Sequence, residues 1–419
     1  MHKIKILRTI ARLNIGGPAI HAILLTEGLD KNKFQTLLVS GSAGPNEGDM
    51  SYYAREKNVR PYYIPELGRE LNVVNDLISF WKLSKIIKKE RPDIIHTHTA
   101  KAGTLGRCAG LWHNIFTFSA ARKIILIHTF HGHVLSGYFG KFKTGLFIRI
   151  ERFLAIFTDN IITVSRAVKK ELIDLNICKS EKIKIIPLGL ELEKFLKIPY
   201  RDTEILHIGI IGRLVPVKNH RLFIDSVAKV IKDNPGIAMK FKIIGDGQLR
   251  AELENYARRL NLNPALEFTG WQKELIEVYA DLDIVALTSD NEGTPVSLIE
   301  AMAAGRTVIA TDVGGVKDLL GNTENDCVSG PQEKVEPPNP CPQGPGFRPR
   351  SINFTVSQRG IKVIPGDPYS VASALSFAIR NESIRKKFYV TARNFVKEKF
   401  TKERLIADME NLYTAAWKK

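Results

Sequence analysis

Asp283-Ile-Val-Ala-Leu-Thr-Ser-Asp-Asn-Glu-Gly-Thr-Pro-Val-Ser-Leu-Ile-Glu300 joins a short apolar run to a Gly-Thr-Pro turn and the start of a helix. A continuous apolar run bounded by turn residues suits a strand buried on both faces of a parallel sheet, with the following helix as its crossover. The turn leaves backbone N–H groups and the positive end of a helix dipole free, which is where a phosphate can sit. Glu292 and Glu300 are 300 − 292 = 8 residues apart, about two helical turns, so this reading sets the second carboxylate lower on the same face, placed to accept from ribose hydroxyls. Paired acids are common on helices, so the pair gains meaning from its surroundings. The chain runs on through Ala301-Met-Ala-Ala-Gly305 toward Gly314-Gly315.

Working outward, Leu206 to Leu214 is a second apolar run that ends at Arg213, with Lys218 five residues later, ahead of a helix. Loops after the strands of a parallel α/β sheet form its ligand crevice, and two cations there suit a diphosphate. Arg213 can fork two phosphate oxygens while Lys218 supplies a point charge. A third run, Phe241-Lys-Ile-Ile-Gly-Asp-Gly247, ends in a glycine turn, and Gly245 would let a nucleotide approach the backbone. Three strand ends are thus expected at one anion site.

The same alternation fills the first half, with strand-like runs at Ile4 to Leu7, Thr36 to Val39, Ile94 to His96, Ile124 to His128 and Ile161 to Val164. At 419 residues with 44% hydrophobic content, the chain is long enough for two such α/β layers. The first ends near Ile185-Ile-Pro-Leu-Gly189, Leu190 to Asp202 reads as a link, and the second sheet begins at about Ile205. Between about 322 and 352 a Pro- and Gly-rich stretch without apolar period reads as a flexible surface insertion, after which Gly360-Ile-Lys-Val-Ile-Pro-Gly resumes as strand and turn.

Cys108, Cys178, Cys327 and Cys341 have neither ligand nor disulfide-framework spacing, so a cytoplasmic, reducing compartment is expected. The basic opening Met1-His-Lys-Ile-Lys-Ile-Leu-Arg reads as a strand, not a signal peptide or membrane span. The net charge is +17, and residues 1–196 hold 30 Lys and Arg against 17 Asp and Glu, or +13, leaving +4 for the remainder. No nucleic-acid recognition module accompanies that charge, which leaves an anionic membrane surface or a solvated basic face. From Phe139 to Phe157, Phe139, Phe142, Leu146, Ile150, Phe153 and Phe157 recur at helical spacing beside Lys141, Arg149 and Arg152. Such a stripe fits either packing on the first sheet or the surface of a membrane.

Taken in order, these motifs resemble those of a family 4 retaining glycosyltransferase with the GT-B fold, two Rossmann-like parallel-sheet α/β domains facing across a cleft. The resemblance is carried by Asn14-Ile-Gly-Gly-Pro-Ala-Ile-His21, Asp93-Ile-Ile-His-Thr-His-Thr-Ala-Lys-Ala-Gly103, His128-Thr-Phe-His-Gly-His133 and Ile162-Thr-Val-Ser-Arg-Ala-Val168 in the first half. In the second it is carried by Ile211-Gly-Arg-Leu-Val-Pro-Val-Lys-Asn219, Ile243-Ile-Gly-Asp-Gly247, Phe268-Thr-Gly-Trp271 and Ser289 to Gly305. It implies an acceptor-side domain over 1–196, joined by a returning helix at about 401–419 after a bend near Phe400-Thr401, and a nucleotide-sugar domain over 197–400.

It also implies roles. Gly17, in the loop Gly16-Gly17-Pro18, would face the donor diphosphate, and His131 matches the family's active-site histidine, able to bond a sugar hydroxyl or steady positive charge on the ring. Arg213 and Lys218 would neutralise the departing diphosphate, Glu292 would orient donor hydroxyls with Gly293 and Thr294 beside the phosphate or sugar, and Glu300 would hold the ribose. A UDP-sugar is the expected donor, a growing surface glycan or lipid-linked glycan the expected acceptor, and no cofactor or metal is required. His96, His98, His128 and His133 could suggest a metal cluster, but they lack accompanying carboxylates or cysteines. Asp281-Leu-Asp283 reads as cap and packing residues ahead of a buried strand. A sugar-nucleotide epimerase and an inactive nucleotide-sugar-binding protein remain alternatives. A nicotinamide enzyme does not, because no Gly-X-Gly-X-X-Gly follows the first strand.

Overall fold

The computed structural model describes residues 3–44, 48–68, 72–116, 123–132, 141–322 and 354–418. The chain divides into two compact units. The first comprises Met1–Glu193 with Asn291–Val296 and Val396–Lys419, and the second Lys194–Asp290 with Ser297–Phe395.

In unit 1 the strands are β1 (Ile4–Ile10), β2 (Phe34–Ser40), β3 (Tyr62–Tyr63), β4 (Ile94–His98), β5 (Ile125–Phe130), β6 (Asn160–Thr163) and β7 (Ile183–Ile185). Between them run helices α1 (Gly17–Gly28), α2 (Ser51–Glu56), α3 (Val73–Glu90), α4 (Ala100–Phe116), α5 (Lys141–Phe157) and α6 (Arg166–Asp174). The strands pair in parallel in the order β3-β2-β1-β4-β5-β6-β7. β4 is buried at every position, as a strand covered on both faces must be.

Unit 2 repeats the plan with β8 (Leu206–Ile211), β9 (Met239–Ile244), β10 (Leu266–Gly270), β11 (Ile284–Leu287), β12 (Thr307–Thr311), β13 (Phe354–Ser357) and β14 (Gly360–Val363). Its helices are α7 (His220–Asp233), α8 (Arg250–Arg259), α9 (Leu275–Asp281), α10 (Val296–Ala303, from Ser297 on), α11 (Val316–Leu320), α12 (Pro368–Arg380) and α13 (Glu382–Lys399), whose last turn from Val396 belongs to unit 1. The order is β10-β9-β8-β11-β12-β14-β13, parallel except for the β13–β14 hairpin. α7 shows why helix and sheet pack. Leu222, Phe223, Val227 and Val230 fall on one stripe and enter a single core with Ile208, Ile210 and Phe241.

The last helix, α14 (Lys402–Trp417), belongs to unit 1. Its Leu405, Met409 and Tyr413, four residues apart, are buried against Ile6, Ile94, Ile127 and Ile162. Full burial of an apolar side chain such as Leu405 or Met409 stabilises by roughly 1.5–3 kcal/mol.

One expectation changes, and one open alternative narrows. α10 begins at Val296, so Glu292 stands in the turn before the helix and does not share a helical face with Glu300. The Gly-Thr-Pro sequence explains this, since Pro295 disfavours helical geometry at the residue before it. Among the described side chains of α5 the buried ones are Glu151, Leu154 and Ala155, whereas Leu146, Phe153 and Phe157 of the apolar stripe are exposed at 51%, 56% and 41%. The inward side is fixed by an ion pair in the core, Arg107 Nη2 to Glu151 at 2.7 Å. Phe139, the start of that stripe, lies outside the described residues, as do His133 and 323–353 of the Pro- and Gly-rich insertion.

Candidate functional site

Among its parallel strands each sheet reverses its order once, between β1 and β4 in unit 1 and between β8 and β11 in unit 2. The crevice outside the carboxyl ends of the strands at such a switch point is where open α/β sheets bind ligands.

In unit 2, β8 leads through Gly212 to Arg213 and a single 3-10 turn, Pro216–Lys218. Asn219 then adopts a left-handed conformation (φ 47°) and caps α7, its Oδ1 accepting from Leu222 N at 3.3 Å. The loop is stapled to the end of β11. Asp290 N donates to Val217 O at 2.9 Å, Asn219 Nδ2 to Asp290 Oδ1 at 2.9 Å, and Thr288 Oγ1 to Asn219 O at 2.9 Å. Both cations are half-buried on this braced loop, so little ordering entropy remains to be lost when an anion binds.

The turn after β9 is knitted to the same loop. Gly212 N donates to Ile244 O and Leu214 N to Asp246 O, each at 2.9 Å. Gly245 has φ +135°, and a Cβ there would strike the Gly212 carbonyl oxygen. The glycine is therefore needed for loop-to-loop contact, a steric reason that the sequence pattern alone does not supply.

Glu300 lies on the second turn of α10. Its carboxylate accepts from Tyr279 Oη at 2.9 Å, and the same hydroxyl lies 3.0 Å from Ser297 O. Burial pushes the Glu300 carboxyl up to about 7, with the Tyr279 hydrogen bond opposing that shift. Tyr279, fully buried on α9, carries no motif, and its partnership with Glu300 is invisible without the fold.

In unit 1, Gly17 opens α1 with Pro18 in the first turn. His21, one helical turn further on, comes to His98 at the end of β4 and to His131 just past β5. Ring centroids are 5.5 Å apart for His21 and His98, 5.0 Å for His21 and His131, and 5.2 Å for His98 and His131. His98 Nδ1 lies 3.0 Å from His131 Nε2. Burial is the first cause of lowered proton affinity in all three, taking His131 to about 3, so each is an uncharged imidazole at neutral pH.

His96 stacks on His98 with ring centroids 4.2 Å apart, but its two ring nitrogens, like Nδ1 of His128, are engaged elsewhere. His96 Nδ1 meets Tyr413 Oη at 2.6 Å and its Nε2 meets Thr129 Oγ1 at 2.7 Å, while His128 Nδ1 meets Thr97 Oγ1 at 2.7 Å. The segment Asn291–Val296, which carries Glu292, Gly293 and Thr294, groups with unit 1. A Cβ on Gly293 would strike the His131 carbonyl oxygen, and Thr294 Oγ1 is buried without a hydrogen-bond partner among the described residues. A further cavity of about 410 Å³ lies at the carboxyl end of β2, lined by Ser40, Asp49, Arg55, Arg60 and Tyr63 among others.

Comparison with known proteins agrees with this layout. A family profile described as Glycosyltransferase Family 4 matches residues 15–194, and one described as Glycosyl transferases group 1 matches 206–336. The chain is 30% identical, over 71% of its length and 76% of the relative's, to the UDP-Gal:alpha-D-GlcNAc-diphosphoundecaprenol alpha-1,3-galactosyltransferase of Escherichia coli. It is 24% identical, over 84% of both chains, to the capsular polysaccharide biosynthesis glycosyltransferase CapM of Staphylococcus aureus. In fold it is similar to the crystal structure of HepE from Anabaena in complex with UDP and glucose, with a TM-score of 0.74, 18% identity, and 98% and 100% of the two chains covered.

Proposed function

The chain belongs to glycosyltransferase family 4 and is a glycosyltransferase, and from that premise we propose that it moves a sugar from a UDP-sugar to an acceptor hydroxyl with the anomeric configuration kept. The observation that carries the donor assignment is the braced loop at the unit 2 switch point, with Arg213 and Lys218 held between strand ends. As the donor bond breaks, negative charge grows on the leaving diphosphate. A preorganised guanidinium and ammonium stabilise that charge without requiring a metal ion.

Glu300, poised by Tyr279, accepts hydrogen bonds from the ribose. Glu292, Gly293 and Thr294 hold the transferred sugar, and His131, an uncharged imidazole, bonds one of its hydroxyls. Gly17 lets the backbone at the start of α1 approach the donor. The leaving phosphate accepts the acceptor's proton, so the new bond forms on the face the diphosphate leaves. The proximity of Gly293 to His131 supports a shared sugar pocket.

The acceptor is a growing surface glycan carried on a lipid diphosphate, a reading supported by the GlcNAc-diphosphoundecaprenol in the name of the E. coli relative. The 410 Å³ cavity, with Asp49, Arg55 and Arg60 on its wall, suits the hydroxyls and phosphate of such a molecule. Among the described residues no helix is long and apolar enough to cross a membrane. The exposed Leu146, Phe153, Ile156 and Phe157 beside Arg149 and Arg152 on α5 support docking on an anionic membrane surface instead. A thermal-shift screen of nucleotide sugars tests the donor, since only a ligand of the folded state raises the melting temperature. Sedimentation with anionic vesicles tests the membrane reading, and absence of binding at low salt would reject it.

A further inference from the structure

We propose that His21, His98 and His131 form a binding site for a divalent transition-metal ion of the zinc class, and that filling it switches transfer off. The three side chains come from a helix and two strand ends, so their backbones are fixed by the sheet. One nitrogen from each can be chosen so that all lie within 4.8 Å of one another. Zinc–nitrogen bonds of about 2.0–2.1 Å in a tetrahedral site put imidazole centroids roughly 5 Å apart. The observed separations of 5.5, 5.0 and 5.2 Å match that spacing.

The hydrogen-bond inventory points the same way. Both nitrogens of His21, Nε2 of His98 and Nδ1 of His131 are buried without a partner among the described residues. The remaining pair, His98 Nδ1 and His131 Nε2, is already 3.0 Å apart, near the edge length of a tetrahedral site. With metal on those two atoms, the ring protons sit on His98 Nε2 and His131 Nδ1, so binding moves one proton between nitrogens of a ring and takes none from the imidazoles; a hydroxide fourth ligand releases one proton from water.

The donor set selects the ion. Three neutral imidazoles without carboxylate or thiolate suit Zn²⁺, Co²⁺, Ni²⁺ or Cu²⁺, and exclude Mg²⁺ and Ca²⁺, which require oxygen ligands. Arg8 and Arg404 add positive charge near His21, so a bound dication needs an anionic fourth ligand such as hydroxide. Inhibition rests on the reading that His131 bonds the donor sugar, because a metal on Nε2 takes the lone pair that contact would use.

The test uses the full chain freed of metal with EDTA. Titration with Co²⁺ is expected to give the intense visible bands of a four-coordinate ion at one equivalent, bleached by Zn²⁺. H21A and H131A proteins should lose the bands, and H113A, altered on α4 outside the cluster, should keep them. UDP binding in each variant shows that it has folded. Weak six-coordinate bands, or four-coordinate bands that survive in both H21A and H131A, would overturn the site. In the transfer assay, metal-free wild-type enzyme should lose at least ~90% of its rate with one equivalent of Zn²⁺, while H21A protein, whatever its metal-free rate, keeps that rate when Zn²⁺ is added. Zinc binding without inhibition would overturn the switch. Metal-free enzyme that is inactive until Zn²⁺ is added would likewise overturn the switch, and would contradict metal-free transfer while leaving the site intact.

Discussion

The two sheets place a ligand crevice at the same topological position and line it with opposite chemistry. In unit 2 the loop after β8 presents Arg213 and Lys218 and helix α10 the half-buried Glu300, the set we propose to hold a charged nucleotide. In unit 1 the corresponding ends present Gly17, His21, His98 and His131, uncharged and proton-poor, suited to hydroxyl groups. Strand order fixes where a ligand sits, and the side chains at the strand ends decide which one.

The comparison breaks most visibly if the cations are removed. Arg213→Ala and Lys218→Ala should each lower kcat by roughly a hundredfold or more, since each leaves developing charge on the diphosphate unopposed. A steady-state assay showing less than a fivefold change would remove the residue from the proposed chemistry. On the unit 1 side, His131→Ala should cost roughly tenfold in kcat with a UDP-sugar, yet leave the affinity for UDP, which lacks the sugar, within about twofold. Equal losses for both ligands would erase the distinction between the two crevices.

Glu300 sharpens it through pH. Its folded-state carboxyl titrates at about 7 because it is buried, and ribose hydroxyls donate to the carboxylate. Donor affinity should therefore be constant above pH 7 and fall by roughly tenfold per unit below it, and E300Q protein should show a flat profile. The stability effect has the opposite sense. The folded state holds this proton more tightly than the unfolded chain, so the carboxyl costs stability as pH rises from 4.5 to about 7. E300Q protein should melt above wild type at pH 8.

The smallest expected effect is structural. Tyr413→Phe removes the hydroxyl that meets His96 Nδ1 at 2.6 Å, which should cost about 1–3 kcal/mol in chemical denaturation and leave UDP affinity unchanged.

Much of this was legible in the residues. Buried parallel strands read as unbroken apolar runs, so β1, β4, β5 and β8 stand out, and the turns after them carry their own chemistry. β3 did not, because two exposed tyrosines have no pattern to read. β13 did not either, lying as an antiparallel hairpin strand directly after the Pro- and Gly-rich insertion. The pairing of Glu292 and Glu300 on one helix face failed because a proline in the intervening turn delays the helix. The apolar stripe of α5 was visible, but its exposure depends on Arg107 and Glu151 meeting from positions 44 residues apart. The grouping of His21 with His98 and His131, like that of Tyr279 with Glu300, is a product of topology, since each joins residues distant along the chain.

The central claim is that the unit 2 loop grips a diphosphate, and calorimetric titration of UDP against uridine tests it most directly. Wild-type protein should bind UDP at least ~100-fold more tightly than uridine, and the gap should collapse in R213A and K218A proteins while uridine affinity holds. Equal affinities for UDP and uridine in the wild type, or an unchanged gap in both variants, would contradict the account.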